Sequence, residues 1–454
     1  MRIKLDLPLS VSQICTAVNA AIPSDTNAEA CVSAICTDTR ECAEGDLFIA
    51  LSGENDSGEK YIEYAIAKKC QIISSSDNKR VIRVQDTQEA LLSLSRVYKA
   101  MISPTYTVAI TGSVGKSTTV KFTSVILGQK FKVHSTIGNF NNLLGVPLTV
   151  FAMPRNTEVL VTEFGMNRKG EISKLSQTVT PNVATITSIG TAHIGNLGSR
   201  EAIANAKLEI LDGMSNGSLL LPKDEALLSR ITNAMYVGRN SSLSYFSLND
   251  ADNGLYSYRS ASKLIDGISF FDKREHILTD LAFALTIADT LGLSEKEMID
   301  GVNAISETNL RQRFIEIEDF TIFDDSYNAS LESITADLKF ITSLQRPSGA
   351  FLGDVLELGD YADEIHRKIG SIAASLHVGR LYLYGNYAEQ VAYGALTSGM
   401  NAECIFINTD TASPDVSINQ IYKYHVPGEV ILFKASHKLR LDKIADLMKN
   451  TKGS

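Results

Sequence analysis

The chain has 454 residues, which is too long for a single hydrophobic core, so two or three domains are expected. Its composition, 44% hydrophobic and 21% charged, is that of a soluble globular protein, and its net charge of −9 argues against a nucleic acid or an anionic membrane as the main partner. No apolar run approaches the ~18 residues that span a bilayer, and residues 1–6 do not resemble a signal peptide.

Six cysteines are present, and five of them precede residue 71. Cys31, Cys36 and Cys42 lack the Cys-x-x-Cys spacing that is typical of zinc sites, so reduced thiols are a better interpretation than a zinc site. We therefore expect a cytoplasmic protein, and we expect it to be a monomer.

The first hundred residues combine a helix pattern at residues 11–21 with a short apolar strand at residues 46–51. Two polar loops, at residues 37–40 and 53–58, have the Thr, Asn, Asp and Gly content of ordinary turns and do not by themselves indicate a site. This part predicts a small α/β domain.

A phosphate-binding pattern follows in Thr107-Val-Ala-Ile-Thr-Gly-Ser-Val-Gly-Lys-Ser-Thr-Thr119. A short apolar strand precedes a glycine turn, and residues 120–129 continue with apolar positions at helical spacing. Glycines let backbone N–H groups approach phosphates, and the N-terminus of a helix favours negative charge. The pattern predicts nucleotide binding by Gly112, Ser113, Gly115, Lys116, Ser117 and Thr118.

Within this loop, Lys116 is expected to neutralise the β- and γ-phosphates, and the hydroxyl of Ser117 is expected to bind Mg²⁺. The full P-loop pattern would place a glycine where this chain has Ile110, so only the shorter Gly-x-x-Gly-Lys-Ser form is present. The alternative is an ordinary glycine turn followed by a surface lysine.

Strands and helices alternate over residues 105–308, which predicts a mostly parallel sheet with helices on both faces. Residues 158–162 and 183–187 are expected as buried strands. Because ligands bind at the carboxyl ends of such strands, Glu163 is a candidate Mg²⁺ ligand, with helix capping as its alternative. His193, alone in a glycine-rich loop, is by itself more typical of a structural histidine.

After residue 310 the alternation resumes in a second open α/β sheet of Rossmann-like type. Its five expected strands are residues 321–325, 349–353, 380–384, 404–407 and 429–433. The fold class is therefore α/β with three domains, at residues 1–100, 101–308 and 309–454. The first is small, and the central one is a mostly parallel domain of the P-loop ATPase type.

Nine stretches of the chain occur in the order in which one enzyme family has them. They are Asp38-Thr-Arg40 with Gly45-Asp-Leu-Phe-Ile-Ala-Leu-Ser-Gly53; Thr111-Gly-Ser-Val-Gly-Lys-Ser117; Gly138-Asn-Phe-Asn-Asn-Leu-Leu-Gly-Val-Pro147; Glu163-Phe-Gly-Met-Asn167 with Gly170-Glu-Ile172; His193 with Gly198-Ser199; Ala206-Lys-Leu-Glu-Ile210; Asp324-Asp-Ser-Tyr-Asn-Ala329; Leu352-Gly-Asp354 with Glu357-Leu-Gly359; and Phe433-Lys-Ala-Ser436. In these stretches the chain resembles the Mur ligase family, the ATP-dependent amide-bond ligases of peptidoglycan precursor synthesis. The third and seventh stretches favour the branch that adds D-alanyl-D-alanine to a UDP-N-acetylmuramoyl tripeptide.

The resemblance implies that the first domain binds the UDP-sugar end of the substrate, the second binds ATP, and the third closes over both and helps to bind the dipeptide. It also implies that ATP converts the terminal carboxylate of the tripeptide into an acyl phosphate. The dipeptide amine would then attack this group, and phosphate would leave from a tetrahedral intermediate. Positioning and electrostatics carry most of such catalysis.

The family pattern assigns catalytic roles to Lys116, Lys207 and His193. It implies two Mg²⁺ ions, one held by Ser117 and Glu163, the other by His193 and a carbamate formed on Lys207. Without this modification a lysine has no acceptor atom and cannot bind a cation. From the sequence alone, Lys207 is only a lysine on the surface of a helix.

Further contacts with the nucleotide and the substrate are implied by the same resemblance. Arg311 matches the hinge arginine that reaches ATP in this family, and Asp325 and Asn328 are expected near the nucleotide. Substrate contacts would come from Asn139, Asn141 and Asn142 in the cleft, and from Thr39, Arg40 and Asn55 at the uridine diphosphate. An asparagine in a loop is also a common turn former.

The chain departs from the family pattern after His276. Ile277 and Asp280 replace two asparagines, the second of which lies near the adenine in the family, so nucleotide contacts and base preference are open. Three further departures are Glu59 for a histidine, Leu331 for a proline and His437 for an arginine.

These departures leave two alternatives to a dipeptide ligase. One is a divergent Mur-like ligase that joins another amino acid or peptide to a different carboxylate acceptor, such as a pseudomurein-type or secondary-metabolite precursor. The other is a non-catalytic nucleotide-binding paralogue. The retained second metal site argues against the latter, and the lack of an Asp-Asn-Pro-Arg stretch argues against the diaminopimelate-adding branch.

Overall fold

A computed structural model describes residues 1–24, 26–53, 56–240, 246–306 and 312–450. In this part of the chain three sheets follow one another, each with its own helices, and the α/β prediction is confirmed. No helix in the same ranges is long and apolar enough to cross a membrane.

The N-terminal sheet has five strands in sequential order, with β1 antiparallel to β2 and the others parallel. The strands are β1 (Arg2–Ser10), β2 (Cys31–Cys36), β3 (Leu47–Ile49), β4 (Gln71–Ser74) and β5 (Ile82–Arg83). The helices are α1 (Val11–Ala17), α2 (Ile62–Ala67) and α3 (Thr87–Ile102). The first helix ends earlier than its apolar pattern predicts, because Asn19 adopts a left-handed conformation with φ +53°.

The central sheet has nine strands in the order β14-β13-β12-β11-β10-β9-β6-β8-β7. They are β6 (Tyr106–Thr111), β7 (Val133–Ser135), β8 (Val159–Glu163), β9 (Val183–Ile186), β10 (Ser218–Pro222), β11 (Ala234–Arg239), β12 (Phe246–Asp250), β13 (Tyr256–Arg259) and β14 (Leu264–Ile268). All neighbours from β7 to β12 pair in parallel, and β13 and β14 add an antiparallel edge.

Helices cover both faces of this sheet. They are α4 (Lys116–Leu127), α5 (Gly145–Phe151), α6 (Glu171–Val179), α7 (Ile194–Leu197), α8 (Arg200–Leu208), α9 (Glu275–Thr290) and α10 (Glu295–Ala304). Successive residues of β6 enter different apolar clusters, since Val108 and Ile110 pack with α4 and α9, whereas Ala109 packs with α5 and α6. This two-sided burial is why the predicted strands of a parallel sheet appear as continuous apolar runs.

The C-terminal sheet has six strands in the order β15-β16-β20-β17-β18-β19. They are β15 (Arg313–Ile317), β16 (Phe320–Asp324), β17 (Ser348–Gly353), β18 (Arg380–Tyr384), β19 (Ile405–Asn408) and β20 (Val430–Lys434), with helices α11 (Leu331–Ser343), α12 (Ala362–Ser375), α13 (Ala388–Thr397), α14 (Pro414–Tyr424) and α15 (Leu441–Asn450). The five predicted strands are present within one residue at each end. The antiparallel edge strand β15 was not predicted, because Phe314 and its neighbours are half-exposed and give no continuous apolar run.

Candidate active site

The glycine loop between β6 and α4 has the conformation that its sequence predicts. Gly115 has φ +89°, and a Cβ on Gly112 would lie 1.9 Å from Thr187 Oγ1, so both positions require glycine. The loop after β9 supports it: Ser113 N donates to Ser188 O at 3.0 Å, and Val114 N donates to Ser188 Oγ at 2.8 Å. These hydrogen bonds therefore fix the conformation of the loop backbone at the carboxyl end of the sheet.

Lys116 begins α4, and its ammonium group turns back over the loop. Its Nζ donates to Gly112 O at 2.6 Å and to Ser113 O at 3.3 Å. Ser117 and Thr118 follow in the first turn, where backbone N–H groups have no partner within the helix. Loop, lysine and helix terminus together have the backbone geometry and the positive charge that favour binding of a polyphosphate.

Glu163 lies at the end of β8, beside the loop, and is 3% exposed. Its carboxylate accepts from Ser117 Oγ at 2.5 Å and from Asn141 Nδ2 at 2.8 Å. Its backbone N–H donates to Thr136 Oγ1 at 3.0 Å. The side chain is thus directed at the loop and does not cap a helix.

Lys207 is buried, which corrects the sequence-based expectation of a helix-surface lysine. It lies on α8, is 2% exposed and lines the cleft of the glycine loop. In the described part of the chain its amine has no hydrogen-bonding or carboxylate partner. Burial, followed by the charge of Lys116, holds the pKa of Lys207 well below its usual value, which favours the neutral amine.

His193 links the central and C-terminal parts of the molecule. It has φ +65°, and its Nδ1 lies 2.6 Å from Glu357 Oε2. This hydrogen bond lowers the pKa of Glu357. Close by, Gly195 N donates to Glu357 O at 3.1 Å, and Thr191 N donates to Glu332 Oε1 at 2.8 Å. The C-terminal part therefore lies over the cleft.

Asp325 belongs to a buried charge cluster that reaches the same cleft. Lys434 contacts Asp325 and also Asp337, whose Oδ2 lies 2.8 Å from Lys434 Nζ. Burial raises the pKa of Asp325 to about 7, although Lys434 opposes this shift. The cluster fixes the loop after β16 to the end of β20.

Asp337→Asn is expected to lower the free energy of unfolding by about 1.5 kcal/mol, because the buried Lys434 ammonium loses the charge of one of its two carboxylates and keeps that of Asp325. Denaturant unfolding followed by circular dichroism would measure this. The control is Asp363→Asn, in an exposed pair with Arg367 at 3.8 Å, which should change stability little. Equal effects of the two substitutions would contradict the structural role of the cluster.

A cleft of about 640 Å³ brings most of the predicted site residues together. It is lined by Gly112, Ser113, Gly115, Lys116, Ser117, Thr118, Asn141, Asn142, Glu163, His193, Lys207, Asp325 and Asn328. Asn139, Thr39 and Arg40 do not line it. Asn55 and Arg311 lie outside the described residues.

Several of the predicted substrate residues have local partners. Asn142 Oδ1 accepts from Leu144 N at 3.1 Å and from Gly145 N at 2.8 Å, at the start of α5. Arg40 is highly exposed and forms an ion pair with Asp38 at 2.5 Å. Thr39 is buried, and its carbonyl accepts from Lys68 Nζ at 2.9 Å.

Four residues of the site were not predicted. Lys434 is the last residue of β20 just as Glu163 is the last residue of β8, so the rule applied to Glu163 could have found it. Glu357 lies in one of the nine family stretches but received no role there, and Thr136 gave no signal, because the contacts of both residues are with segments distant in sequence. Gln88 of α3 also lines the cleft and donates to Leu143 O at 2.8 Å, which brings the N-terminal domain to its edge.

A second cavity of about 1400 Å³ adjoins the cleft and shares Gln312 with it. His276 and Arg274 line it, and the Arg274 guanidinium lies 5.5 Å and 5.0 Å from the ring centres of Phe323 and Phe340. Burial lowers the pKa of His276 to about 4. Among the described residues, Arg274 Nη1 and Gln312 Oε1 are buried and have no hydrogen-bond partner.

The two residues of α9 that depart from the family pattern, Ile277 and Asp280, both have buried side chains. Ile277 is 1% exposed and packs in the apolar cluster between α9 and α4. Asp280 is 4% exposed and lies beneath Gly115, not on the wall of either cavity. The position that the resemblance places near the adenine thus contacts the phosphate-binding loop in this chain.

Comparison with known proteins agrees with this geometry. Residues 110–281 match the family model of the Mur ligase middle domain. The chain is 32% identical over 451 residues to a UDP-N-acetylmuramoyl-tripeptide--D-alanyl-D-alanine ligase of Bacillus subtilis (strain 168), covering 96% of this chain and 97% of that protein. It is 29% identical to the protein of the same name from Synechocystis sp., covering 95% and 96%.

Solved structures share the whole fold. MurF from Acinetobacter baumannii superposes with a TM-score of 0.88 at 25% identity, covering 99% of this chain and all of that one. A pseudomurein peptide ligase type C from Methanothermus fervidus has a TM-score of 0.65 at 15% identity, covering 88% and 93%, and shows the fold alone. The identity over nearly full length shows that this chain belongs to the Mur ligase family.

Proposed function

We propose that the protein is an ATP-dependent ligase that joins D-alanyl-D-alanine to a UDP-N-acetylmuramoyl tripeptide through an acyl phosphate, in peptidoglycan precursor synthesis. The observation that carries this proposal is the convergence of the glycine loop, the Ser117–Glu163 pair and the buried Lys207 on one cleft. The names of the relatives over nearly the full chain length support the choice of substrates.

The triphosphate of ATP would lie on the glycine loop, and its nucleoside would enter the adjoining cavity. That cavity offers a buried acceptor, Gln312 Oε1, and a buried donor, Arg274 Nη1, neither of which has a partner among the described residues. Unpartnered buried polar atoms are costly, so a ligand that satisfies both is favoured. A purine carries donors and acceptors on one edge and has a flat face for Phe323 and Phe340.

Two Mg²⁺ ions would be held by Ser117, Glu163, His193 and Lys207. The donor set fits this only if Lys207 is modified, because no three His, Cys, Asp or Glu side chains converge within the described ranges. A neutral buried amine is the form that reacts with CO₂, and the resulting carbamate supplies two oxygens. When bound, Mg²⁺ would stabilise the charge on the phosphoryl oxygens.

The chain's own groups would act on both steps. In the first step a carboxylate oxygen of the tripeptide bonds to the γ-phosphorus and the bond to ADP breaks. Lys116 and the amides of the loop would hold the phosphoryl oxygens during this transfer. In the second step the dipeptide amine bonds to the acyl carbon, loses a proton and displaces phosphate. Asp325 and Asn328 lie on the C-terminal side of the cleft and would position the reactants.

The remaining predicted site residues would contact the acceptor substrate, the UDP-muramoyl tripeptide. Asn139, Asn141 and Asn142 would line its path, while Thr39, Arg40 and Asn55 would bind the uridine diphosphate. The domains would be residues 1–100, 101–308 and 309–454, as the three sheets support. We place the reaction in the cytoplasm, where ATP is available, and we propose that the protein acts as a monomer.

Phosphate release from ATP and Mg²⁺ tests the proposal directly. It is expected only when the UDP-muramoyl tripeptide and D-alanyl-D-alanine are both present, with the amide product visible by mass spectrometry. Each substrate omitted in turn is the control. Phosphate release that requires another amine or acceptor would identify a divergent ligase in place of the dipeptide ligase. ATP binding without phosphate release for any pair of amine and acceptor would overturn the enzymatic function.

A further inference from the structure

The phosphate-binding loop is supported from two sides. On one side Thr187 and Ser188 hydrogen-bond to its backbone. On the other side α9 brings Asp280 against the turn, and a Cβ on Gly115 would lie only 2.3 Å from Asp280 Oδ1. The same oxygen accepts from Thr119 Oγ1 at 3.2 Å, in the first turns of α4. Asp280 therefore touches both the glycine that turns the loop and the helix that follows it.

We propose that Asp280 is a positioning residue for the phosphate-binding loop, holding the turn at Gly115 and the start of α4 so that the loop amides and Lys116 face the nucleotide. The proposal rests on the proposed function only for the identity of the nucleotide. It assigns a role to a position that the family resemblance associates with the base.

The chain lacks the first glycine of the full P-loop pattern. The contact with Asp280 is therefore an additional way in which the fold can hold the loop in place. With Ile110 in place of the first glycine, the loop is shorter and its conformation depends on the groups packed around it. Because Gly115 lacks a side chain and has φ +89°, it has more conformational freedom than any other residue type would have. A carboxyl group packed against its Cα removes alternative turns without touching the ligand.

A negative charge at this place would oppose nucleotide binding, and the burial of the Asp280 carboxyl group favours its neutral form. Burial raises the pKa of Asp280 well above its usual value, while the hydrogen bond from Thr119 and the charge of Lys116 act in the opposite direction. The elements that pack on α9 are α4, α10, β11 and β12, and in the described part of the chain Lys116 of α4 is the one charged side chain among them that shifts this pKa. A neutral carboxyl keeps its acceptor for Thr119 and adds no negative charge beneath the phosphates.

This arrangement has a definite pH dependence. Since the pKa of Asp280 is higher in the folded than in the unfolded chain, its contribution to stability is complete at low pH and is lost as the pH rises through the folded value. In the same pH range, ionisation of Asp280 would place a negative charge beneath the phosphate-binding loop. Affinity for MgATP should therefore weaken in the wild type as the pH rises through the pKa of Asp280, and Asp280→Asn should remove this weakening while it keeps the shape and the acceptor.

The test compares Asp280→Asn and Asp280→Ala with the wild type by calorimetric titration of MgATP from neutral to alkaline pH. Asp280→Ala is expected to bind about tenfold more weakly and to raise KM for ATP more than it lowers kcat, because the turn is no longer held. Asp280→Asn is expected to bind as the wild type does at the lower end of this pH range and to lose the weakening that the wild type shows as the pH rises. The matched control is Asp289→Asn, which alters a buried carboxylate of the same helix that pairs with Lys263 and leaves the loop untouched.

Hydrogen exchange of the amides of residues 112–119 in the nucleotide-free protein gives a second measurement. In Asp280→Ala these amides should exchange faster than in the wild type, and in Asp289→Asn they should exchange at the wild-type rate. Wild-type affinity and wild-type amide protection in Asp280→Ala, or the same pH dependence of affinity in Asp280→Asn as in the wild type, would overturn the proposal. If the wild type binds MgATP without ligating the dipeptide, the proposed activity fails while the positioning role stands. If the wild type binds no nucleotide at all, the hydrogen-exchange data still decide the positioning role of Asp280.

Discussion

Lys207→Ala is expected to reduce turnover by roughly 10³-fold or more, and short-chain carboxylates such as formate or acetate are expected to restore part of it. The reason is that Lys207 lies buried in the cleft with no carboxylate partner among the described residues, and its lowered pKa favours the neutral amine. Such an amine is poorly explained as a structural cation but is suited to forming a carbamate. The measurement is phosphate release with the full set of substrates, with and without added carboxylate.

Stability separates this role from a structural one. Removing a buried amine that has no partner removes a desolvation cost, so Lys207→Ala should unfold at a temperature no lower than the wild type. Lys207→Arg should be inactive as well and should not respond to carboxylates, because its guanidinium remains charged and fills the space. Lys263→Ala, in an ion pair with Asp289 on the same domain, is the control and should retain turnover. Full activity in Lys207→Ala would contradict the carbamate.

Glu163→Gln is the second substitution with a large expected effect, a loss of about 10³-fold in kcat/KM. The carboxylate accepts from Ser117 Oγ at 2.5 Å and from Asn141 Nδ2 at 2.8 Å, so it lies between the phosphate loop and the expected path of the substrate. Glutamine keeps the volume and one acceptor but removes the charge that a divalent cation requires. The loss should be partly recovered at higher Mg²⁺, which a magnesium titration of the initial rate would show.

Glu158→Gln is the matched control for this prediction. Glu158 immediately precedes the same strand, at its opposite end, and its carboxylate accepts from Lys132 N at 2.8 Å far from the loop. It should leave both kcat/KM and the Mg²⁺ requirement unchanged. A Glu163→Gln enzyme with the Mg²⁺ dependence of the wild type would exclude Glu163 from the metal site.

The two predictions concern one physical feature, the convergence of loop ends at one edge of the central sheet. β6, β8 and β9 are parallel neighbours, so the residues that follow them necessarily meet at the same edge. The C-terminal sheet then brings its own strand ends over this edge, through the His193–Glu357 hydrogen bond and the Thr191–Glu332 contact. A cleft with such contacts on its rim can exclude water when the reactants are bound.

The sequence by itself determined the class of fold and the position of the phosphate loop. Apolar runs of four to six residues that alternate with helical patterns are typical of a parallel sheet covered on both faces, and the glycines at 112 and 115 mark the turn between strand and helix. Glu163 was found for the same reason, because a strand end next to such a loop is set by local chain order. The nine ordered stretches then indicated the family, which the comparisons confirm.

Only the tertiary structure decided the environment of individual side chains. Lys207 is exposed in a helical projection but buried in the fold, because the cleft forms between segments that are distant in the sequence. Asp280 appears from the family pattern to face the base, yet α9 packs on α4 in a way that directs it to Gly115. The pairing of Lys434 with Asp325 and Asp337 is equally invisible in the sequence. Burial and the partners of a charge depend on which segments the fold brings together, and local periodicity does not encode this.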